Sequence, residues 1–175
     1  MRARQQIFYE DVSAGDELPE IALDINAKRL FLQASGAQDW YPVHFDPAYA
    51  RKAGHVDVFM NTGWVQAALV RLITDWMGDA GFLRRLKFEM RRQHRPGDTV
   101  LCRGRVVAKA ERDGRPCVDL EVWLENEREG VATPGEATIV LPRRSQAAGS
   151  ISANVAELLT FSLRSATSGE TNARF

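Results

Sequence analysis

Asn61-Thr62-Gly63-Trp64-Val65-Gln66-Ala67-Ala68-Leu69-Val70-Arg71-Leu72-Ile73-Thr74-Asp75-Trp76-Met77 is apolar around most of a helical circumference, with only Gln66 and Arg71 interrupting it between Trp64 and Ile73. Such a helix has no face to offer water and must be enclosed by other elements. Asn61 or Thr62 caps it, so the amides of Gly63 and Trp64 fall among the first-turn donors that lack a partner inside the helix. Past Gly81 the period changes from helical to alternating. Leu86, Phe88 and Met90 oppose Lys87, Glu89 and Arg91; Val118, Leu120, Val122 and Leu124 oppose Asp119, Glu121, Trp123 and Glu125. Both runs read as half-buried antiparallel strands. Asp98 to Ala108 and Ala137 to Leu141 supply two more, and Asp113-Gly114 is a hairpin signal between Val107 and Val118. One buried helix followed by four long strands calls for an α+β domain in which an antiparallel sheet wraps the helix.

Upstream, Ile7 to Val12 and Leu18 to Ile25 have strand character, separated by the turn Ser13-Ala14-Gly15-Asp16. Asn26 caps a helix that runs from Ala27 to Ala34 and stops at Ser35-Gly36. Asp46-Pro47 opens a further helical turn through Tyr49, Ala50 and Lys52.

Composition bounds the function. At 175 residues with 45% hydrophobic and 26% charged content, the chain fits one globular domain with an appended segment. A formal net charge of zero gives no electrostatic support for nucleic acid or an anionic membrane as partner. No apolar h-region follows Met1, and no run reaches the roughly 18 residues of a spanning helix, so a cytoplasmic protein is expected. Cys102 and Cys117 lack metal-ligand spacing, and His44, His55 and His94 are too dispersed for zinc. The two cysteines fall on neighbouring strands, where a disulfide is conceivable and packing as small hydrophobes is favoured. Neither metal nor cofactor is expected.

Chemistry concentrates in Gln38-Asp39-Trp40-Tyr41-Pro42-Val43-His44-Phe45-Asp46-Pro47. Proline fixes its own φ and extends the residue before it, so Asp39 and His44 stand on an irregular, stiffened segment. An imidazole that titrates near neutrality, beside a carboxylate that can orient it or hold a water, can move a proton on and off carbon. The bland alternative is an ordinary solvent-facing loop.

The pattern Asp39-Trp40-Tyr41-Pro42-Val43-His44-Phe45-Asp46-Pro47-Ala48-Tyr49-Ala50, followed by Thr62-Gly63-Trp64 and the long helix, resembles the hydratase segment of the MaoC-like family. These are (R)-specific enoyl-CoA hydratases and acyl dehydratases with the hot-dog fold. The resemblance runs in order over about residues 7 to 142, including Gly15-Asp16 and Pro96-Gly97-Asp98. It implies a lyase adding water to a trans-2-enoyl-CoA or removing it from a 3-hydroxyacyl-CoA, with Asp39 and His44 catalytic. It also implies that the Gly63 amide polarises the thioester carbonyl, and that CoA enters only as part of the substrate. Tyr41, Thr62 and Trp64 are the candidate substrate-binding residues. Family members usually carry Asn at the place of Tyr41 and His-Gly at Thr62-Gly63. Val58 through Gly78 is also similar to small subunits of heteromeric hydratases that act on bulky, steroid-derived thioesters. A non-catalytic partner subunit is therefore one alternative, and an acyl-CoA thioesterase another.

The remaining features carry bland readings beside functional ones. His55 is expected at the surface, and Trp64 and Trp76 read as core, with Trp64 also adjacent to the presumed donor. Arg84, Arg85, Lys87, Arg91, Arg92 and Arg95 form a basic group that strand alternation scatters over two faces. It is read as a solvated face ahead of a CoA phosphate site. The domain is assigned to residues 1–144. Residues 145–175 form a tail in which Val155, Leu158, Leu159, Phe161 and Leu163 could build an amphipathic helix. With one buried helix and too few strands to enclose it, a homodimer or a heterodimer with a related chain is expected, or a higher oligomer of such pairs.

Overall fold

The computed structural model describes residues 5–145; the island expected in the tail lies outside them. Strands β1 (Ile21–Asp24), β2 (Phe82–Phe88), β3 (Thr99–Arg112), β4 (Arg115–Asn126) and β5 (Gly130–Val140) form one sheet in the order β1-β3-β4-β5-β2. Every pairing is antiparallel. Helices α1 (Ala27–Ala37), α2 (Pro47–Lys52) and α3 (Thr62–Met77) fill the chain between β1 and β2. This is the hot-dog arrangement, a curled sheet around one central helix.

The sheet encloses α3 because the helix offers apolar side chains to it along its whole length. Val65, Leu69, Leu72 and Ile73 are buried against Val100, Val106, Val118, Leu120, Val122, Leu124 and Ile139 in one core. Each large aliphatic side chain removed from water in this way contributes about 1.5–3 kcal/mol. The alternation read in β4 is borne out: Val118, Leu120, Val122 and Leu124 are buried, and the intervening Asp119, Glu121, Trp123 and Glu125 are half-buried. Cys102 and Cys117 are buried free thiols paired in register with Leu124 and Ala110, not with each other. Burial pushes the Cys102 thiol up to about 12.

The hairpin between β3 and β4 turns on Asp113-Gly114, with Arg112 paired to Arg115 and positive φ at both turn residues (54° and 70°). That is the mirror-image turn whose twist matches the strands, and Gly at its second position carries positive φ without a steric cost.

Element boundaries differ from the sequence reading most at three places. Ile7 to Val12 is not a strand; Tyr9–Asp11 is a single 3₁₀ turn in which Asp11 returns its carboxylate to the Phe8 amide at 3.1 Å. The Lys109 ammonium then takes the carbonyls of Tyr9 and Val12 at 2.6 and 2.5 Å, acceptors that a strand would have given to a neighbour. The first helix continues through Ser35-Gly36 to Ala37 and ends only where Gln38 adopts a left-handed conformation. Strand β5 begins at Gly130, well before Ala137, despite Pro134-Gly135. The Pro134 carbonyl still accepts from Glu89, and Gly135 lies where a Cβ would come within 2.8 Å of the Lys87 carbonyl. Two residues that look like strand breakers thus permit close approach of β2.

Candidate active site

Three segments meet at Asp39. The first is the C-terminus of α1, where left-handed Gln38 (φ 52°) turns the chain and the Asp39 amide closes onto the Ala34 carbonyl at 2.9 Å. The second is the 3₁₀ turn Pro42–His44, which starts on proline and carries His44. The third is the N-terminus of α3, where Asn61 is the cap.

His44 is buried while the Asp39 side chain keeps about 35% of its exposure, and Nε2 of the imidazole stands 3.4 Å from Oδ2 of the carboxylate. The other ring nitrogen, Nδ1, lies 2.8 Å from the Phe59 carbonyl oxygen. A carbonyl only accepts, so Nδ1 carries the proton of this hydrogen bond, and in the neutral ring Nε2 presents a lone pair toward Asp39. A lone pair and a carboxylate oxygen repel unless a donor lies between them. A water that donates one hydrogen to each satisfies both, which is the arrangement needed to activate it.

Asp39 is held below the usual carboxylate range, first by the hydrogen bond from Asn61, against the opposing effect of burial, and further by the Tyr41 amide and the nearby imidazole. Asn61 Nδ2 donates to Oδ2 at 2.8 Å, and the Tyr41 amide donates to Oδ1 at 3.4 Å. The carboxylate is therefore kept ionised and accepting.

At the start of α3 the Trp64 amide donates to the Asn61 side chain at 2.8 Å, and the Val65 amide to the Asn61 carbonyl at 3.2 Å. No partner for the Gly63 amide occurs among the described residues. The residue is exposed, and an added Cβ would meet only Asn61 Oδ1 at 3.5 Å. A helix N-terminus with an unengaged amide suits developing negative charge on oxygen.

The FAS1-like dehydratase domain region matches residues 13–136. The chain belongs to this MaoC-like dehydratase family. A curated relative of this dehydratase, the mitochondrial 3-hydroxyacyl-[acyl-carrier-protein] dehydratase of Arabidopsis thaliana, is 28% identical over 132 residues, spanning 75% of this chain and 78% of its own. Among solved structures, the (R)-hydratase from A. caviae involved in PHA biosynthesis superposes with a TM-score of 0.67 at 19% identity, over 76% of this chain and 99% of that one. The ChsH1-ChsH2 complex from Mycobacterium tuberculosis gives a TM-score of 0.67 at 24% identity, over 74% and 98%. The protein is thus an enzyme of the hydratase and dehydratase type.

The other residues singled out in this dehydratase distribute unevenly. Tyr41 is exposed, its ring edge-on to His44 at 6.3 Å and to Tyr49 at 6.0 Å, and its main-chain amide donates to Asp39. Thr62 is exposed at the first helical position. Trp64 packs on the core with its ring edge toward His94 at 6.1 Å. His55 is half-buried rather than on the surface, since its ring lies 4.8 Å from that of Phe59 and its Nδ1 is 3.0 Å from the Gln93 amide nitrogen. In the basic group, Arg84 pairs with Asp113, Arg85 with Glu136, Arg91 with Glu89, and Arg92 and Arg95 with Glu129. Several of these residues line an open groove of about 1460 Å³ on the sheet whose lining includes neither Asp39 nor His44. These arginines are thus matched to carboxylates on the solvated face of the sheet, as the alternation implied.

Sequence reasoning assigned Asn61 only to a cap and passed over Gln33, whose Oε1 accepts from the Asn61 amide at 2.9 Å. An Asn before a helix is sufficiently explained by capping. Its second bond, to a residue twenty-two positions away, has no local signature.

Proposed function

We propose that this chain catalyses syn or anti addition of water across a trans-2-enoyl-CoA, or the reverse elimination from a 3-hydroxyacyl-CoA, with Asp39 and His44 as its acid/base pair. The observation that carries the reading is the imidazole whose Nδ1 is tied to a carbonyl and whose Nε2 faces an ionised carboxylate. Water held between them loses a proton to the pair as its oxygen bonds to the β-carbon. Electrons of the alkene shift toward the thioester, whose oxygen gains negative charge near the Gly63 amide, and the proton returns to the α-carbon. Each donor of that scheme acts most strongly in the transition state, where the charge is largest. No group beyond substrate and water enters the balance.

The test is incubation of the purified protein with crotonyl-CoA and with longer and ring-bearing enoyl-CoAs, following loss of the conjugated thioester absorbance. The same acyl groups on acyl carrier protein form a second arm, because the Arabidopsis relative is named for that carrier. Turnover by the chain alone is expected. Its absence with every substrate, and its appearance only on mixing with a related hot-dog chain, would establish the partner-subunit reading that the Tyr41 and Thr62 departures favour.

The reading includes a dimer, with a second copy or a related chain, in a cytoplasmic setting that suits the two free thiols. Strand β2 ends the sheet, its outer edge has no strand neighbour among the described residues, and Phe82 is 63% exposed. A second sheet joined there would cover an edge otherwise prone to promiscuous pairing. Sedimentation at micromolar concentration should show no stable monomer.

A further inference from the structure

We infer that Asn61 is a positioning residue of this site: its carboxamide, locked by the first turn of α3, holds Oδ2 of Asp39 in place against Nε2 of His44. The inference deepens the hydratase reading and rests on it for its kinetic consequence, but the geometry stands by itself.

The orientation of the carboxamide is fixed by what surrounds it. The Trp64 main-chain N–H at 2.8 Å can only donate, so the end of the carboxamide facing it must be the oxygen. The NH₂ end is thereby directed at Asp39 Oδ2, also at 2.8 Å, and an ionised carboxylate can only accept. Flipping the amide would oppose two donors at one end and two acceptors at the other. Asn61 has little room to move, being 5% exposed with its main-chain amide held by Gln33 Oε1 at 2.9 Å. The residue before it is anchored as well, since the Met60 amide donates to the His94 carbonyl at 2.9 Å.

The oxygen that Asn61 grips is the one facing the imidazole, at 3.4 Å. Among the described residues the opposite oxygen has only the Tyr41 amide at 3.4 Å, at the long end of hydrogen-bond range. Rotation of the Asp39 carboxylate is consequently resisted mainly from one side, by α3. The element whose first turn offers the Gly63 amide is also the element that aims the carboxylate, so one rigid helix end sets the spacing between both halves of the chemistry. A carboxylate freed from this hold would sample rotamers in which a bound water no longer bridges to His44, and small misplacements of reacting groups cost large factors in rate.

The experiment separates this role from capping. Ser is as good an N-cap as Asn but is too short to reach Asp39, whereas Asp keeps the size and the cap while replacing the donor by a second carboxylate. In the full chain with ¹³C-labelled aspartate, the Asp39 carboxyl is titrated by NMR in the wild type, Asn61→Ser and Asn61→Asp, its signal being assigned by its loss in Asp39→Asn. The titration midpoint is expected to rise in Asn61→Ser and to rise further in Asn61→Asp. With an enoyl-CoA that the wild type hydrates, kcat should fall roughly 10- to 100-fold in Asn61→Ser while KM changes less than about twofold. The melting temperature should stay within a few degrees of the wild type. If Asn61→Ser does not fold, Asn61→Asp carries the same comparison. An unmoved Asp39 titration, or an unchanged kcat, in a folded variant overturns the positioning role. The titration needs no turnover. A shifted midpoint in a chain whose wild type hydrates nothing would uphold Asn61 and remove the hydratase reading, and the opposite pattern would do the reverse.

Discussion

His44 and His94 are both buried imidazoles, and their surroundings give them opposite fates. His44 has one nitrogen fixed to a main-chain carbonyl and the other facing the partly exposed carboxylate of Asp39. His94 is fully buried, with Nδ1 accepting from the Asn126 side-chain amide at 3.2 Å and Nε2 3.5 Å from the Thr133 hydroxyl. Neutral partners satisfy it as a neutral ring, and burial pushes its pKa down to about 4, a shift that Arg128 reinforces and Asp98 and Glu129 oppose. Burial is common to the two. What differs is whether a partly exposed carboxylate adjoins the second nitrogen, the setting that would suit an imidazole to carry protons.

The comparison is broken most severely at Asp39 and His44, the proposed acid/base pair. Asp39→Asn and His44→Ala should each lower turnover with a suitable enoyl-CoA by about 10²–10⁴ while leaving the fold intact, the range for removing a general acid or base. Denaturant titration beside steady-state kinetics checks both halves of that expectation. Near-normal turnover in either variant would mean that the pair has been assigned the wrong role.

Gly63 sharpens the electrophilic side. Proline at this first-turn position deletes the N–H and keeps an acceptable φ, so a loss of about 3 kcal/mol in transition-state stabilisation is expected, with a smaller change in stability. Alanine is the control, because its Cβ would meet only Asn61 Oδ1 at 3.5 Å and its amide remains. Equal losses of kcat/KM in the two variants would show that the amide is not the donor.

At His94 the expected effect is on stability and on pH. Its folded-state pKa of about 4 lies below the unfolded value near 6.5, so the unfolded chain takes up the proton first on acidification. Its contribution is fully present above about pH 6.5 and is lost as pH falls toward 4, amounting to about 3 kcal/mol across that window. Asp39, whose pKa is lowered, acts in the same direction but below its ordinary carboxylate range. Urea denaturation between pH 7 and 4 should therefore lose less stability in His94→Leu than in the wild type, each referred to its own value at pH 7.

Much of this was legible in the sequence where a period repeats. The helix at Thr62–Met77, the alternation of β4 and the Asp113-Gly114 turn all follow from local pattern and fall where expected. The reading failed where a local signal is overruled from afar. Ser35-Gly36 does not end α1, and Pro134-Gly135 does not interrupt β5, where pairing with β2 and β4 outweighs propensities of about 1 kcal/mol. The Asp39 and His44 motif was visible as spacing, yet nothing in the string shows that His94 is buried as well and held by Asn126 and Thr133. Trp64 shows the same limit: adjacent to the presumed donor in sequence, it presents its ring edge to His94.

The two-residue turn at Asp113-Gly114 also orders events in time. The ladder it closes, from Arg112 and Arg115 out to Leu101 and Glu125, joins residues close in sequence and can zip on the microsecond scale of an isolated hairpin. Pairing Phe82 with Val140, or Ile21 with Cys102, must instead close long loops and comes later. Asp39, His44 and Asn61 stand on segments that lie between those late closures. The β3–β4 wall therefore forms ahead of the pairings that bracket Asp39, His44 and Asn61, and these three come into register only when collapse is complete.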